Sequence, residues 1–146
     1  RTKMPVTVKS VTIWRKEVEN KPGELAAALG PLVKAGANLK VLMGYRLPGE
    51  EGKAAIEVYP LSGAKATRAA AEAGLAQSAI PALYVEGDDK PGLAAAQAEA
   101  LAAAGINITF VMMQAVGRKY SAVWGFETPE AARKAAGLIK KAKPAK

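Results

Sequence analysis

The 146-residue sequence contains no cysteine and no histidine. Without cysteine, the chain cannot form disulfides, use a thiol nucleophile or hold a metal through thiolates. Without histidine, it lacks the side chain that most often serves as a general base and as a metal ligand. These two absences remove much of the common catalytic repertoire. We therefore expect no enzyme activity, no metal site and no bound cofactor.

Long hydrophobic runs are also missing. No stretch of 18 apolar residues occurs, so we expect no membrane-spanning segment. The first residues do not show the charged-then-apolar pattern of a secretory leader. A cytoplasmic location is therefore the expectation.

The net charge of +8 is concentrated at the two ends of the sequence. Residues 1–15 carry +4, residues 133–146 carry +6, and the residues between them carry −2. Nucleic-acid binding through a basic face requires cations clustered on the fold itself. Here the body is near neutral, and residues 142–146 are predicted to form a disordered basic tail.

A sequence repeat with an offset of 69 positions organises the chain. Asn20-Lys21-Pro22-Gly23 returns as Asp89-Lys90-Pro91-Gly92, and Ala35-Gly36-Ala37-Asn38-Leu39 returns as Ala104-Gly105-Ile106-Asn107-Ile108. Between residues 20–39 and 89–108, nine of twenty positions are identical without a gap. The repeat indicates two copies of one structural unit.

Each copy is predicted to contain a strand, the Lys-Pro-Gly loop, a helix that ends at a glycine, two further strands and a second helix. Pro22 and Pro91 suit the first turn of the first helix in each copy. In copy one, the spacing of Leu25, Leu29, Leu32 and Val33 predicts a buried helical face, with Pro31 kinking or shortening that helix. In copy two, Thr128-Pro129-Glu130 predicts the start of the second helix.

A fourth strand is needed to complete a ferredoxin-like βαββαβ sheet in each copy. In copy one, residues 75–81 are predicted to supply it. In copy two, no strand is predicted after the last helix, and the strand-like Val6-Thr7-Val8 near the start of the chain is the candidate, in this chain or in a partner. The predicted domains are residues 1–75, with the N-terminal extra strand, and residues 76–141.

The Asx-Lys-Pro-Gly loop, the helix and the Ala-Gly-x-Asn segment resemble the ACT-domain family, present twice. The resemblance implies an α+β fold of two ferredoxin-like βαββαβ units, with antiparallel sheets and helices packed on one face. It also implies a regulatory protein that binds a small effector such as an amino acid at the loop between the first strand and the first helix and at the interface between domains. A homodimer formed by sheet pairing is implied as well. The implied ligand-binding residues lie in the two loops and after the two helices: Asn20, Lys21, Pro22, Gly23, Glu24, Leu25, Asn38, Asp89, Lys90, Pro91, Gly92, Leu93 and Asn107.

The loop residues also have a purely structural interpretation. Asn20 and Asp89 are good helix-capping residues, and Asx-Lys-Pro-Gly forms a sound turn into a helix without any ligand. As a ligand site, the loop would offer backbone N–H groups at a helix amino end to a carboxylate. Both roles remain open from the sequence.

RNA binding is the alternative function, because the same βαββαβ topology carries RNA-recognition domains that stack bases on aromatic side chains. Tyr120, Trp124 and Phe126 alternate onto one face of a predicted strand. An enzyme is a weaker alternative, since Asp88 and Asp89 lie in a loop with no nucleophile or metal cluster beside them.

Overall fold

The computed structural model describes residues 5–144, which form four helices and eight strands. These residues divide into two compact units. The central unit is Thr12–Ala79, and the flanking unit combines the residues up to Val11 with those from Ile80 onward. Among residues 5–144, no helix has the length and apolar character needed to cross a membrane.

The central unit has the predicted βαββαβ order. Its elements are β2 (Trp14–Glu19), α1 (Glu24–Lys34), β3 (Val41–Arg46), β4 (Lys53–Tyr59), α2 (Ala64–Glu72) and β5 (Ala76–Gln77). The strands form one antiparallel sheet in the order β3-β4-β2-β5, so residues 76–77 supply the fourth strand as predicted. The core lies between this sheet and the two helices and includes Leu32, Ile56 and Val58.

The flanking unit has the same arrangement with one difference in connectivity. Its elements are β1 (Thr7–Val11), β6 (Ala82–Asp88), α3 (Leu93–Ala103), β7 (Ile108–Val116), β8 (Lys119–Phe126) and α4 (Pro129–Lys141). The sheet order is β1-β6-β8-β7, so β1 occupies the edge beside β6 that β5 occupies beside β2. The N-terminal segment therefore supplies the missing strand within the same chain.

The boundaries of the two units differ from the predicted domains. The prediction placed the N-terminal strand with residues 1–75, but β1 pairs with β6 along five residues and belongs to the flanking unit. No strand follows α4 within the residues described, so β1 covers backbone groups of β6 that would otherwise be left unpaired at a sheet edge. Of the predicted tail, residues 145–146 lie outside the described residues.

The first helices also begin and pack differently from the prediction. Pro22 and Pro91 lie before the helices rather than in their first turns. Leu32 is fully buried, whereas Leu25 and Val33 are 43% and 66% exposed, so α1 buries a narrower face than the leucine spacing predicted. Pro31 falls in the last turn of α1, where it removes a single intrahelical hydrogen bond, and the helix continues to Lys34.

Candidate ligand-binding site

The first Lys-Pro-Gly loop leads into a helix whose amino end has no side-chain cap. Gly23 has a φ of 94°, a left-handed conformation that glycine adopts without strain, and α1 begins at the next residue. Asn20 does not cap the helix: its Nδ2 donates a hydrogen bond to the backbone oxygen of Glu51 at 3.1 Å. The first backbone N–H groups of α1 are therefore available to a ligand or to solvent.

A cavity of about 340 Å³ lies beside this loop. Its walls come from the loop, the first turn of α1 and the adjoining ends of β2, β3 and β4. The cavity brings together four of the predicted ligand-binding residues (Asn20, Lys21, Glu24 and Leu25), but Pro22 and Gly23 are not part of its lining. The complete lining is Val18, Glu19, Asn20, Lys21, Glu24, Leu25, Gly44, Tyr45, Arg46, Ala54, Ala55 and Ile56.

The rim of the cavity is charged, whereas its floor is apolar. The side chain of Arg46 is exposed and makes no hydrogen bond or ion pair with any residue that the structure describes. Lys21 Nζ lies 3.0 Å from Glu19 Oε2, a hydrogen bond that raises the pKa of Lys21. The floor is formed by the side chains of Val18, Ala54 and Ile56, which share the helix-covered face of the sheet, and Ile56 is 3% exposed. The sequence prediction missed Arg46 because β3 brings it to the loop only through sheet pairing.

In the flanking unit, a side chain fills the space that corresponds to the cavity of the central unit. Val18 lies directly opposite Ala54 on the neighbouring strand of the central unit, and Gly87 lies directly opposite Tyr120 in the flanking unit. Tyr120 is 3% exposed, and a Cβ on Gly87 would lie 2.9 Å from its Cε1 atom. The fully buried Gln97 donates from Nε2 to the Tyr120 hydroxyl at 3.2 Å. A tyrosyl ring thus occupies the space above this cross-strand pair.

The second Lys-Pro-Gly loop resembles the first in backbone form but presents fewer groups to a ligand. Gly92 has a φ of 83°, and α3 begins at Leu93. No side chain caps α3, and the Asp89 backbone N–H donates to the backbone oxygen of Arg118 at 2.8 Å. Leu93 is 6% exposed and lies in the hydrophobic core, and a role for it in ligand binding stays a prediction. Asp89, Lys90, Pro91 and Gly92 are exposed.

Asn38 and Asn107 lie at the other end of the helices. Each is exposed and follows the carboxyl end of α1 or α3, whereas the loops precede the amino ends. An 11-residue helix spans about 16 Å, so neither asparagine shares a site with its loop. Asn107 Nδ2 donates instead to Glu127 Oε1 at 2.8 Å. β3 and β7 start at the ends of their sheets opposite the loops, and a role of the two asparagines in ligand binding stays a prediction.

The aromatic residues of β8 are not available for base stacking. Tyr120, Trp124 and Phe126 are 3%, 2% and 1% exposed. They pack in one core cluster with residues of α3 and α4, including Leu101 and Ile139. The predicted RNA-binding face is therefore wrong, since the aromatic side chains point into the core rather than to solvent.

The carboxylates considered for catalysis lie at the end of β6 and in the loop after it. Asp88 is 8% exposed, and its Oδ1 lies 2.6 Å from Lys119 Nζ. Asp89 is exposed and next to it. Among residues 5–144, no three acidic side chains come together in a way that could hold a metal ion. Asp88 therefore belongs to an ion pair at the end of the β6–β8 ladder.

No family profile matches the sequence, and no curated protein matches it at a significant level. Solved structures do match. The chain is similar to protein BT0572 from Bacteroides thetaiotaomicron, with a TM-score of 0.74, 17% identity, and coverage of 92% of this chain and 98% of that one. It is also similar to the regulatory subunit of aspartate kinase from Thermus thermophilus, with a TM-score of 0.62, 20% identity and coverage of 97% and 99%. The regulatory subunit from Thermus flavus gives a TM-score of 0.53, 20% identity and coverage of 95% and 99%.

These similarities extend over both units, and the two aspartate kinase proteins are regulatory rather than catalytic subunits by name. At such low identity the comparison concerns the fold. The chain therefore has the α+β fold of two ferredoxin-like units that the ACT-domain resemblance implied, and it shares this fold with the aspartate kinase regulatory subunits.

Proposed function

We propose that the chain is a regulatory protein without catalytic activity that binds a small amino-acid effector in the cavity of the central unit. One observation carries this proposal: the unpaired Arg46 and the uncapped amino end of α1 meet at the rim of one cavity. The fold shared with aspartate kinase regulatory subunits supports a regulatory role.

The rim offers partners for both charged groups of an amino acid. A guanidinium binds a carboxylate through two parallel hydrogen bonds, and the helix dipole favours a negative charge at the amino end of α1. Arg46 and the α1 backbone N–H groups are thus the proposed carboxylate partners. Glu24, in the first turn of α1, is the proposed partner of the ammonium group. Asn20 and Lys21 complete the rim.

We expect one effector for each chain. The second loop keeps exposed Asp89 and Lys90, but Tyr120 fills the space that corresponds to the cavity of the central unit. Any contribution of the second loop would therefore have to come from its surface. The two copies of the motif would thus differ in function although their backbone conformations are similar.

We also propose that the protein is a homodimer and is located in the cytoplasm. The outer strands β3 and β7 carry exposed apolar side chains, among them Leu42 on β3 and Val111 on β7. An unpaired strand edge with apolar side chains favours pairing with another strand. Light scattering coupled to size-exclusion chromatography would give twice the chain mass for a homodimer, and a monomer mass at micromolar concentration would contradict it.

The effector proposal is tested by thermal-shift and calorimetric titration with the twenty amino acids. At least one should raise the melting temperature, because a ligand that binds only the folded state stabilises it. Arg46→Gln should weaken that binding by about tenfold or more, since a hydrogen bond to a charged group is lost. Arg68→Gln is the matched control, because Arg68 is exposed on α2 and does not line the cavity. No binding by any amino acid, or equal binding in both variants, would contradict the proposal.

A further inference from the structure

The apolar floor of the central cavity points to one class of effector. Charged side chains lie at the rim, and the lining residues on the helix-covered face of the sheet are the apolar Val18, Ala54 and Ile56. A ligand with its carboxylate and ammonium groups at the rim must direct its side chain toward this floor. Resting on the proposed function, we propose that the effector is an amino acid with an apolar side chain of about the size of leucine, methionine or phenylalanine.

The floor disfavours polar ligand side chains because it has no side-chain groups that can form hydrogen bonds. Val18, Ala54 and Ile56 offer no hydrogen-bonding side-chain atom. The polar groups of an asparagine, aspartate or lysine side chain would lose their water there without gaining partners, and unpaired polar groups are costly to bury. Apolar side chains gain from leaving water in the same place. The floor therefore favours ligands with apolar side chains over ligands with polar ones.

The size of the effector side chain follows from comparing the two units. Tyr120 of the flanking unit occupies the strand position that Ala54 occupies in the central unit. The fold therefore accommodates a ring of tyrosyl size above this strand pair. The volume of about 340 Å³ lies near the lower end of ligand pockets, which span about 300–1,000 Å³. An aromatic or branched aliphatic side chain suits this space better than a nucleotide or a peptide.

Calorimetry of the full chain tests the proposal by comparing leucine, methionine and phenylalanine with asparagine, aspartate and lysine. We expect at least about tenfold tighter binding of the apolar group, the discrimination typical of a hydrophobic pocket. Ala54→Leu should shrink the cavity and weaken phenylalanine binding more than valine binding. Ala71→Leu, on the exposed surface of α2, is its control. Leu25→Ala, at a half-exposed lining position, should weaken all three apolar ligands and gives a second test if Ala54→Leu does not fold.

The outcomes separate the two proposals. If no amino acid binds, the proposed function itself is wrong. If aspartate, asparagine or lysine binds as tightly as leucine and phenylalanine, the proposed function stands and the apolar class is wrong. Equal weakening of valine and phenylalanine by Ala54→Leu, or unchanged binding in Leu25→Ala, would place the ligand side chain outside the floor and overturn the inference.

Discussion

The buried pair of Gln97 and Tyr120 gives the sharpest test of how the flanking unit is packed. Tyr120→Phe removes the hydroxyl that Gln97 Nε2 bonds at 3.2 Å. Gln97 Oε1 is already buried without a partner, so the variant leaves both polar atoms of the amide unbonded. A buried polar group without a partner costs about 1–3 kcal/mol. We expect Tyr120→Phe to lower the free energy of unfolding by an amount in this range.

Substitution of the other partner, Gln97, is expected to lower the free energy of unfolding by less. Gln97→Leu also breaks the bond, but it removes the unbonded Oε1 together with Nε2 and leaves only the Tyr120 hydroxyl unpaired. Its expected cost is below about 1 kcal/mol, because one unsatisfied group replaces another. The double variant replaces both partners with apolar groups of similar shape, a change that can be nearly neutral. It should be more stable than Tyr120→Phe.

Urea denaturation of the four proteins, followed by tryptophan fluorescence and circular dichroism, gives the double-mutant cycle. The predicted interaction free energy is about 1–2 kcal/mol, because the second substitution cancels the cost of the first. The original protein and the Tyr120→Phe variant must both show native circular dichroism. If the two substitutions are additive within about 0.5 kcal/mol, as for independent sites, the argument that Gln97 and Tyr120 form a stabilising hydrogen-bonded pair is refuted.

Three further predictions concern the packing of the fold. Gly125→Ala should destabilise the protein by about 1–3 kcal/mol through overpacking, because the new Cβ would collide with the Phe110 ring. Gly44→Ala is the control and should not destabilise the protein, since no atom lies within 4 Å of its Cβ. Equal melting temperatures of the two variants would contradict the prediction. Deletion of residues 1–11 should destabilise the flanking unit by exposing the edge of β6, which hydrogen exchange of β6 amides would report as lost protection. Burial raises the pKa of Tyr120 above the ordinary value of 10.0, so the hydroxyl loses its proton at a lower pH in the unfolded chain than in the folded one. The free energy of unfolding should therefore fall as pH rises through 10 toward the folded pKa. Tyr120→Phe should reduce this pH dependence, and an unchanged pH profile would refute the prediction.

The sequence repeat predicted the topology of both units because its signals are local. The offset of 69 positions placed the loops and helices in register, and Thr128 caps α4 as predicted, accepting a hydrogen bond from the Ala131 N–H at 3.0 Å. The sequence also predicted the edge strand near the start of the chain. Local sequence patterns could not predict that this strand belongs to the flanking unit, because that depends on the pairing of β1 with the distant β6.

The site was less predictable because it depends on pairing between distant residues. The repeat treats both loops as equivalent, but the exchange of Val18 and Ala54 for Gly87 and Tyr120 fills only one of them. Neither exchange lies in the repeated motif. Arg46 reaches the loop through β3, which is far from it in sequence. Strand register therefore decides which copy of the motif has a cavity.

The calorimetric stoichiometry of the amino acid that gives the largest thermal shift tests the central claim most directly. It should be measured on the original chain and on a Val18→Gly/Ala54→Tyr variant, which reproduces in the central unit the cross-strand pair of the flanking unit. The account predicts one bound amino acid for each original chain and loss of binding in the variant, provided that the variant keeps native circular dichroism. Two bound amino acids for each chain, or unchanged affinity in the folded variant, would contradict it.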